Sequence, residues 1–170
     1  DEGELAALKA HTDSKTLPDI IDIAVETGMR LSEITNLQWR NIDLAMRTAV
    51  LPDSKNGHRR VVPLSPTATN TLSTRKHREI GNPDDRVFKV TPHAVTTAFR
   101  RAVLRIYRHS KGSLGVNLRF HDLRHEAVSR LFERGLNVIE VAAISGHRSL
   151  QMLMRYSHPS ASRIAKKLEL

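Results

Sequence analysis

The sequence predicts a mainly α-helical domain that contains one small antiparallel β-hairpin. Apolar residues recur at helical spacing along most of the chain, and Pro or Gly bounds the segments. In contrast, the strand-like residues 48–51 and 59–64 flank residues 53–57, a turn-rich stretch that contains Asn-Gly. Hydrophobic residues make up 39% of the chain, which is enough for a core, so we expect residues 1–170 to form a single domain.

The N-terminal half of the chain contains four predicted helices around the hairpin. Pro18 lies near the start of the second helix, and Gly28 ends it. Ser32 is the expected N-cap of the third helix, since its hydroxyl can accept a hydrogen bond from a free backbone N–H. The expected helices of this half span residues 2–11, 18–28, 32–39 and 66–80.

The C-terminal half is predicted to be almost entirely helical. Gly135 and Gly146 each end a helix, and Ser149 is expected to cap the helix that follows it. Residues 109–115 (HSKGSLG) have the composition of a loop. The expected helices of this half span residues 92–108, 121–134, 137–145, 149–156 and 160–168.

The charge of the chain is concentrated in its C-terminal half. Residues 1–85 carry 11 Lys and Arg against 13 Asp and Glu, whereas residues 86–170 carry 16 against 5. A solvated surface accounts for scattered basic residues, but an excess of this size favours a polyanionic partner, most commonly nucleic acid. The seven aromatic residues are too few for a platform on which single-stranded bases stack.

Several classes of protein are excluded by composition. The chain has no cysteine, which excludes a disulfide-stapled scaffold and a thiolate metal site and is compatible with a reducing compartment. No apolar run approaches the roughly 20 residues that a membrane-spanning helix needs. The first residue is Asp1, with no signal segment after it, so we expect a piece of a longer protein.

One helix start combines three polar side chains that can carry chemistry. His121, Arg124 and His125 share a helix face, because positions three and four residues apart are neighbours. They could form a solvated polar face, or a metal site, since His-Asp-x-x-His resembles the zinc-hydrolase pattern. They could also bind an anion, because guanidinium is a two-pronged donor suited to phosphate.

Other candidate residues are ordinary when each is considered alone. His147 lies between two helices, where backbone N–H groups can bind an anion. Tyr156 fits a half-buried structural role, and Arg30 with Glu33 fits a surface ion pair. Lys55, at the tip of the hairpin, fits a solubilising charge.

Taken together and in this order, these segments resemble the catalytic domain of the tyrosine recombinase (phage integrase) family. Each motif is weak alone, but five in the expected order are highly specific, and the match extends from about residue 18 to residue 160. Two positions depart from the family pattern. Ser145 stands where many members have Leu before Gly-His, and His58 stands where another basic residue is frequent. The motifs are residues 27–33 (TGMRLSE), Lys55 with 60–64 (RVVPL), 121–125 (HDLRH), 146–147 (GH) and 154–158 (MRYSH).

The resemblance implies a site-specific DNA recombinase that cleaves and rejoins strands through a 3′-phosphotyrosyl intermediate. Tyr156 would attack the phosphorus and free a 5′-hydroxyl. An ordinary tyrosine has a pKa near 10, so forming phenolate at pH 7 costs about 4 kcal/mol without help. His121 is the expected base or relay, and Lys55 is the expected general acid for the departing 5′-oxygen.

The resemblance also assigns the residues that stabilise the charge of the transition state. Arg30 and Arg124 would clamp the non-bridging oxygens, and His147 would donate a further hydrogen bond. Glu33 occupies the acidic position that supports the first arginine. Because the two guanidiniums neutralise the charge, no metal and no cofactor are expected.

The expected partner is double-stranded DNA that carries specific recombination sites. We expect a homotetramer on DNA, with residues 163–170 packing on a neighbour or on their own chain, and a monomer without DNA. Accessory DNA-bending proteins, a cytoplasmic location and the absence of the family's N-terminal DNA-clamping domain are further expectations. The residues expected to contact DNA backbone phosphates are Arg100, Arg101, Arg105, Arg108, Lys111 and Arg119.

Three alternatives remain open at this point. A type IB topoisomerase uses similar chemistry, but it would relax supercoiled DNA as a monomer. A non-catalytic accessory module would keep the fold and bind DNA without cleaving it. A metal-dependent hydrolase would be built on His121 and His125.

Overall fold

A computed structural model describes residues 2–53, 58–78, 82–109 and 117–156, together with 165 and 168. Its helical elements confirm the mainly α-helical fold class, and a short 3-10 helix covers Trp39–Asn41. The helices are α1 (Glu2–Ala10), α2 (Leu17–Thr27), α3 (Leu31–Asn36), α4 (Pro66–Arg78), α5 (Pro92–His109), α6 (Asp122–Glu133), α7 (Val138–Ser145) and α8 (Gln151–Met154).

Helix α2 is the centre of the domain. Its residues Ile20, Ile21 and Ile23 are fully buried, and it packs against α1, α3, α4, α5 and α6. Burying an isoleucine side chain contributes roughly 1.5–3 kcal/mol, so the apolar sequence of α2 is the main reason that the other helices gather around it. One hydrophobic core extends from Leu8 in α1 to Leu153 in α8.

A three-stranded antiparallel sheet lies beside the helices, with strands β1 (Ile42–Asp43), β2 (Thr48–Leu51) and β3 (Arg60–Pro63) in chain order. Ala49 pairs with Val62 and both are buried, whereas the neighbouring Val61 is exposed. Since side chains alternate across a strand, Arg60 shares the inward face with Val62. The strand β1 was not predicted, because two residues are too short to carry an alternating pattern.

The junction between α2 and α3 places Arg30 at the entrance of a helix. Gly28 ends α2 with a left-handed backbone (φ 63°), and α3 then begins with Arg30 as its N-cap. The backbone N–H of Arg30 donates to Glu33 Oε2 (2.7 Å), as in a capping box. The prediction that Ser32 caps this helix is wrong, because the helix starts earlier and the free backbone N–H of Arg30 donates to the carboxylate of Glu33.

The C-terminal helices follow the prediction with small differences. Helix α5 continues through His109, and α8 begins at Gln151 with Leu150 as its N-cap, so the prediction of a cap at Ser149 is wrong. The loop over residues 110–115 and the tail helix lie outside the described residues, apart from Ala165 and Leu168. Among the described helices, none combines the length and the apolar character that crossing a membrane requires.

Candidate active site

Five of the polar residues singled out in the sequence line one groove. The groove has a volume of about 580 Å³ and lies between the α2–α3 junction, α5 and the start of α6. Arg30 and Arg124, which are 94 positions apart in the chain, meet there. Its polar lining also includes Arg100, Arg119 and His121. The groove is therefore strongly cationic and suited to an anion.

The carboxylate of Glu33 holds two guanidiniums beside this groove. It accepts hydrogen bonds from Arg30 Nη1 (3.0 Å), Arg60 Nη1 (2.8 Å) and Arg60 Nη2 (2.8 Å). Arg60 also donates through Nε to the carbonyl oxygen of Ile144 (3.0 Å), and Arg30 donates through Nη2 to that of Gly146 (3.3 Å). This network joins α3, β3 and the end of α7.

The surroundings of Glu33 keep it charged. Burial alone would raise the pKa of Glu33, but the hydrogen bonds from Arg60 and from the Arg30 backbone, together with both positive charges, outweigh burial and lower it. Glu33 is thus a permanent anion at neutral pH. It fixes the direction of Arg30, whose guanidinium is then held at the edge of the groove.

Gly146 allows the network to close. Its φ is 71°, and an added Cβ would lie 2.8 Å from the Cζ atom of Arg60, closer than real side chains approach. A glycine at this position therefore serves both the left-handed backbone and the close approach of the guanidinium.

Arg124 is buried deeply for a charged residue. It is 5% exposed, and its Nη1 donates to the carbonyl oxygen of Gly28 (2.5 Å). Burial and the nearby charge of Arg30, partly offset by Glu33, lower the pKa of Arg124 to about 10. Arg124 stays protonated at neutral pH, so its charge is available for a bound anion.

Hydrogen bonding determines which ring nitrogen of His147 carries the proton. Ser145 Oγ donates to the carbonyl oxygen of Val141 (2.6 Å) and lies 2.7 Å from His147 Nδ1. Since the hydroxyl has one proton, Nδ1–H of His147 must donate to Oγ. Arg124 Nη2 lies 3.3–3.4 Å from the ring nitrogens and can only donate, which leaves Nε2 as the acceptor.

Electrostatics agree with a neutral His147. Burial and the charges of Arg124 and Arg30 lower the pKa of His147 to about 4. In this arrangement His147 Nε2 accepts from Arg124. Since Nε2 carries no proton in this arrangement, the expected donation from His147 to a phosphate requires that Nε2 first release Arg124 and gain a proton, by protonation of the ring or by a change of tautomer.

Tyr156 is linked to the start of α6 through His125. The hydroxyl of Tyr156 forms a hydrogen bond with His125 Nδ1, and the two rings are nearly parallel, with centroids 5.9 Å apart. The ring of His121 meets that of His125 edge-on at 5.2 Å. Partial burial of the ring, followed by the charges of His125 and Arg124, lowers the pKa of His121, which is therefore largely neutral at pH 7.

The arginines of α5 do not form one surface. Arg100 lines the groove, whereas Arg101, Arg105 and Arg108 lie on a different face of the helix, about 80–140° from Arg100. Arg105 forms an ion pair with Asp13 and donates to the carbonyl oxygen of His11 (3.2 Å). The expected DNA contact Lys111 and the expected general acid Lys55 lie outside the described residues.

Two residues of the site were missed as site residues in the sequence. A signal for Arg60 is the alternation along β3, which puts a charged residue in line with the buried Val62. His125 was noted only as part of a polar helix face that could be solvated, hold a metal or bind an anion, and its spacing from Tyr156 carries no local pattern. Over the described part of the chain, no three His, Asp or Glu side chains gather in a way that could hold a metal ion.

Comparison with known proteins identifies the class of protein to which the chain belongs. The model of the phage integrase family matches residues 4–163, and the chain belongs to this family. A shufflon-specific DNA recombinase of Escherichia coli is 47% identical over 151 residues, which cover 88% of this chain and 36% of the relative. The chain thus spans about a third of the length of that relative.

Solved structures support the fold. The catalytic domain of bacteriophage HP1 integrase has a TM-score of 0.73 at 24% identity, and the match covers all of this chain and 92% of that one. The Tn1549 transposon integrase in complex with circular intermediate DNA has a TM-score of 0.78 at 20% identity, over 99% of this chain and 64% of that one. These similarities confirm the mainly helical fold with a small antiparallel sheet.

Proposed function

We propose that the chain is the catalytic domain of a site-specific DNA recombinase that breaks and rejoins strands by transesterification. The observation that carries the proposal is the convergence of Arg30, Arg124 and His121 on one groove, next to the His125–Tyr156 pair. Membership of the phage integrase family supports it. We further propose that residues 1–170 act as a single domain, in agreement with the continuous hydrophobic core.

The proposed reaction exchanges one phosphodiester for another. The Tyr156 oxygen attacks phosphorus, the bond to the 5′-oxygen breaks, and a 3′-phosphotyrosyl link forms while the phenol proton passes to a base. Lys55 is proposed to protonate the departing 5′-oxygen. Because the phosphotyrosyl link stores the energy of the broken bond, a 5′-hydroxyl can reverse the step.

The cationic groove supplies the charge stabilisation that this reaction needs. Arg30 and Arg124 are proposed to clamp the non-bridging oxygens, with Glu33 positioning Arg30 and His147 positioning Arg124. One preorganised donor is typically worth about 3–4 kcal/mol, so losing either arginine should slow cleavage by a hundredfold or more. His121 lines the groove and is proposed to face the bound phosphate.

The proposed partner is duplex DNA, and the similar fold of the Tn1549 transposon integrase, which was solved in complex with DNA, supports this choice. Arg100 and Arg119 line the groove and are proposed to bind backbone phosphates, with Arg101, Arg108 and Lys111 in outer contacts. The ion pair of Arg105 with Asp13 makes it a weaker candidate. A tetramer on DNA, accessory bending proteins and a cytoplasmic location beside the chromosome are proposed from the family resemblance.

A covalent-capture experiment tests the activity. The full-length protein is incubated with random-core duplexes that carry nicks, so that the short 5′-hydroxyl fragment diffuses away and the adduct accumulates. Recovered DNA defines the site for all later assays. Tyr156→Phe should bind the recovered duplex normally and form no adduct, and an adduct that survives in Tyr156→Phe would refute the proposal. Relaxation of a supercoiled plasmid that lacks paired sites would favour a topoisomerase.

A pair of arginine variants tests the proposed DNA surface. Arg100→Gln should weaken binding of the recovered duplex and lower the slope of log affinity against log salt by about 1, because one phosphate contact is lost. Arg105→Gln is the matched control on the same helix, and its slope should stay unchanged. Equal slopes for Arg100→Gln and the parent protein would remove Arg100 from the interface.

A further inference from the structure

His125 occupies the place that a base for the nucleophile must occupy. Its Nδ1 atom is the hydrogen-bond partner of the Tyr156 hydroxyl, while the resemblance assigned the base to His121. The near-parallel rings, 20° apart in plane, and the edge-on ring of His121 fix the orientation of His125 from two sides. A candidate base must lie within hydrogen-bond reach of the proton that it removes, and His125 satisfies this requirement.

We propose that His125 is a catalytic residue, the proton acceptor for Tyr156 in cleavage and the proton donor to it in rejoining. The proposal rests on the recombinase function proposed above. In cleavage the O–H bond of Tyr156 breaks, a bond from the proton to Nδ1 forms, and the phenol oxygen bonds to phosphorus. In rejoining the imidazolium returns that proton to the departing phenol oxygen, so the proton balance is restored.

Both acidic and basic groups surround His125. His125 lines a second cavity of about 270 Å³, on the side of α1, and its ring stacks on that of Tyr156. The charged and titratable groups around His125 are Glu4, His121, Asp122, Arg124, Glu126, His147, Arg155 and Tyr156.

The same geometry leaves His121 with a separate task. His121 is exposed and lines the groove with Arg30 and Arg124, where a phosphate would bind. His121 therefore contacts the substrate side of the site, and His125 contacts the nucleophile. The two histidines, one helical turn apart, divide the work that the resemblance assigned to His121 alone.

Matched variants on the nicked duplex test the assignment. His125→Asn keeps a hydrogen-bonding group near the position of Nδ1 but has no basic nitrogen, and His121→Asn is the matched control. Single-turnover cleavage by His125→Asn should be about a hundredfold slower at neutral pH, the low end of general-base effects, and should recover as pH rises. Each variant is also made with 3-fluorotyrosine placed at position 156 alone by stop-codon suppression.

The more acidic fluorinated phenol needs less help from a base. Fluorination should therefore restore His125→Asn by about tenfold and should change His121→Asn by less than about threefold. A residue that only positioned the phenol would show no such selective rescue. Cleavage by His125→Asn within about threefold of the parent, or equal rescue of both variants, would overturn the proposal.

Folding and the underlying function are checked separately. If His125→Asn loses its helical circular dichroism, His125→Gln replaces it, and loss of structure in both would show that His125 is structural and overturn the proposal. If the parent protein forms an adduct while the His125 variants cleave normally, only the role of His125 fails. If the Tyr156→Phe variant still forms the adduct, the recombinase proposal itself fails.

Discussion

Replacing Arg60 by methionine tests whether the Glu33 network holds the site together. The Arg60 side chain is 9% exposed, and it donates three hydrogen bonds, two to Glu33 and one to the carbonyl oxygen of Ile144. Methionine keeps much of the apolar length of the side chain and removes its hydrogen-bond donors and its positive charge. The variant therefore leaves a buried carboxylate and a buried carbonyl with fewer partners.

The size of the effect follows from the geometry. Breaking a buried ion pair by removing one partner costs about 3–5 kcal/mol. Glu33 keeps two donors from Arg30, which places the electrostatic loss near the lower end, and the carbonyl of Ile144 adds about 1 kcal/mol or more. We expect Arg60→Met to lower the free energy of unfolding by about 3–5 kcal/mol, a large part of the total for a domain of this size.

Urea unfolding followed by circular dichroism measures this loss. The matched control is Arg40→Met, since Arg40 pairs with Asp84 at a solvent-exposed position, with side chains that are 57% and 74% exposed. An exposed pair contributes about 0–1 kcal/mol, so the control should be nearly neutral. If Arg60→Met costs no more than Arg40→Met, the network does not stabilise the fold and the reasoning is wrong.

Three further predictions concern Glu33, Gly146 and His147. The folded pKa of Glu33 lies below its ordinary value of 4.5, so its contribution to stability is present above pH 4.5 and is lost as pH falls through the folded pKa. Glu33→Gln should therefore flatten this part of a plot of the free energy of unfolding against pH. Gly146→Ala should lower the free energy of unfolding by about 1–3 kcal/mol. The loss should exceed that of Gly135→Ala, where an added Cβ meets nothing within 4 Å, and equal losses in urea unfolding would contradict the close approach of Arg60 to Gly146. Nitrogen NMR should find the His147 proton on Nδ1, and Ser145→Ala should shift the tautomer; a proton on Nε2 in the parent would contradict the hydrogen-bond argument.

The sequence was sufficient for the mainly helical fold and for the meeting of Arg30 with Arg124. Helical periodicity and the Pro and Gly boundaries are local signals, and they locate the helices to within a few residues. The end of helix α2 at Gly28 was predicted correctly for the same reason. The cap at Ser32 failed because the helix already begins at Leu31, with Arg30 as its N-cap, so Ser32 lies inside the first turn, and the capping contact is made by the backbone N–H of Arg30 with Glu33.

The contacts of Arg60 and His125 could not be predicted, because each depends on segments distant in the chain. Arg60 meets Glu33 only when β3 packs beside α7 and α3. His125 meets Tyr156 only when the segment after α8 returns to α6, across 31 positions of sequence. Spacing shows which residues share a helix face, but it does not show which partner that face meets.

The charges around the groove predict the charge of the ligand that binds there. Three guanidiniums, those of Arg30, Arg60 and Arg124, surround the single carboxylate of Glu33, and burial together with the charge of Arg30 already lowers the pKa of Arg124 to about 10. Like charges held together in a partly buried region oppose folding unless an anion neutralises them. A bound phosphodiester would supply that negative charge, and binding it would relieve the repulsion between Arg30 and Arg124. In the proposed reaction, the DNA backbone would therefore gain binding energy from the excess positive charge of the groove, and the further negative charge on the non-bridging oxygens in the transition state would gain more.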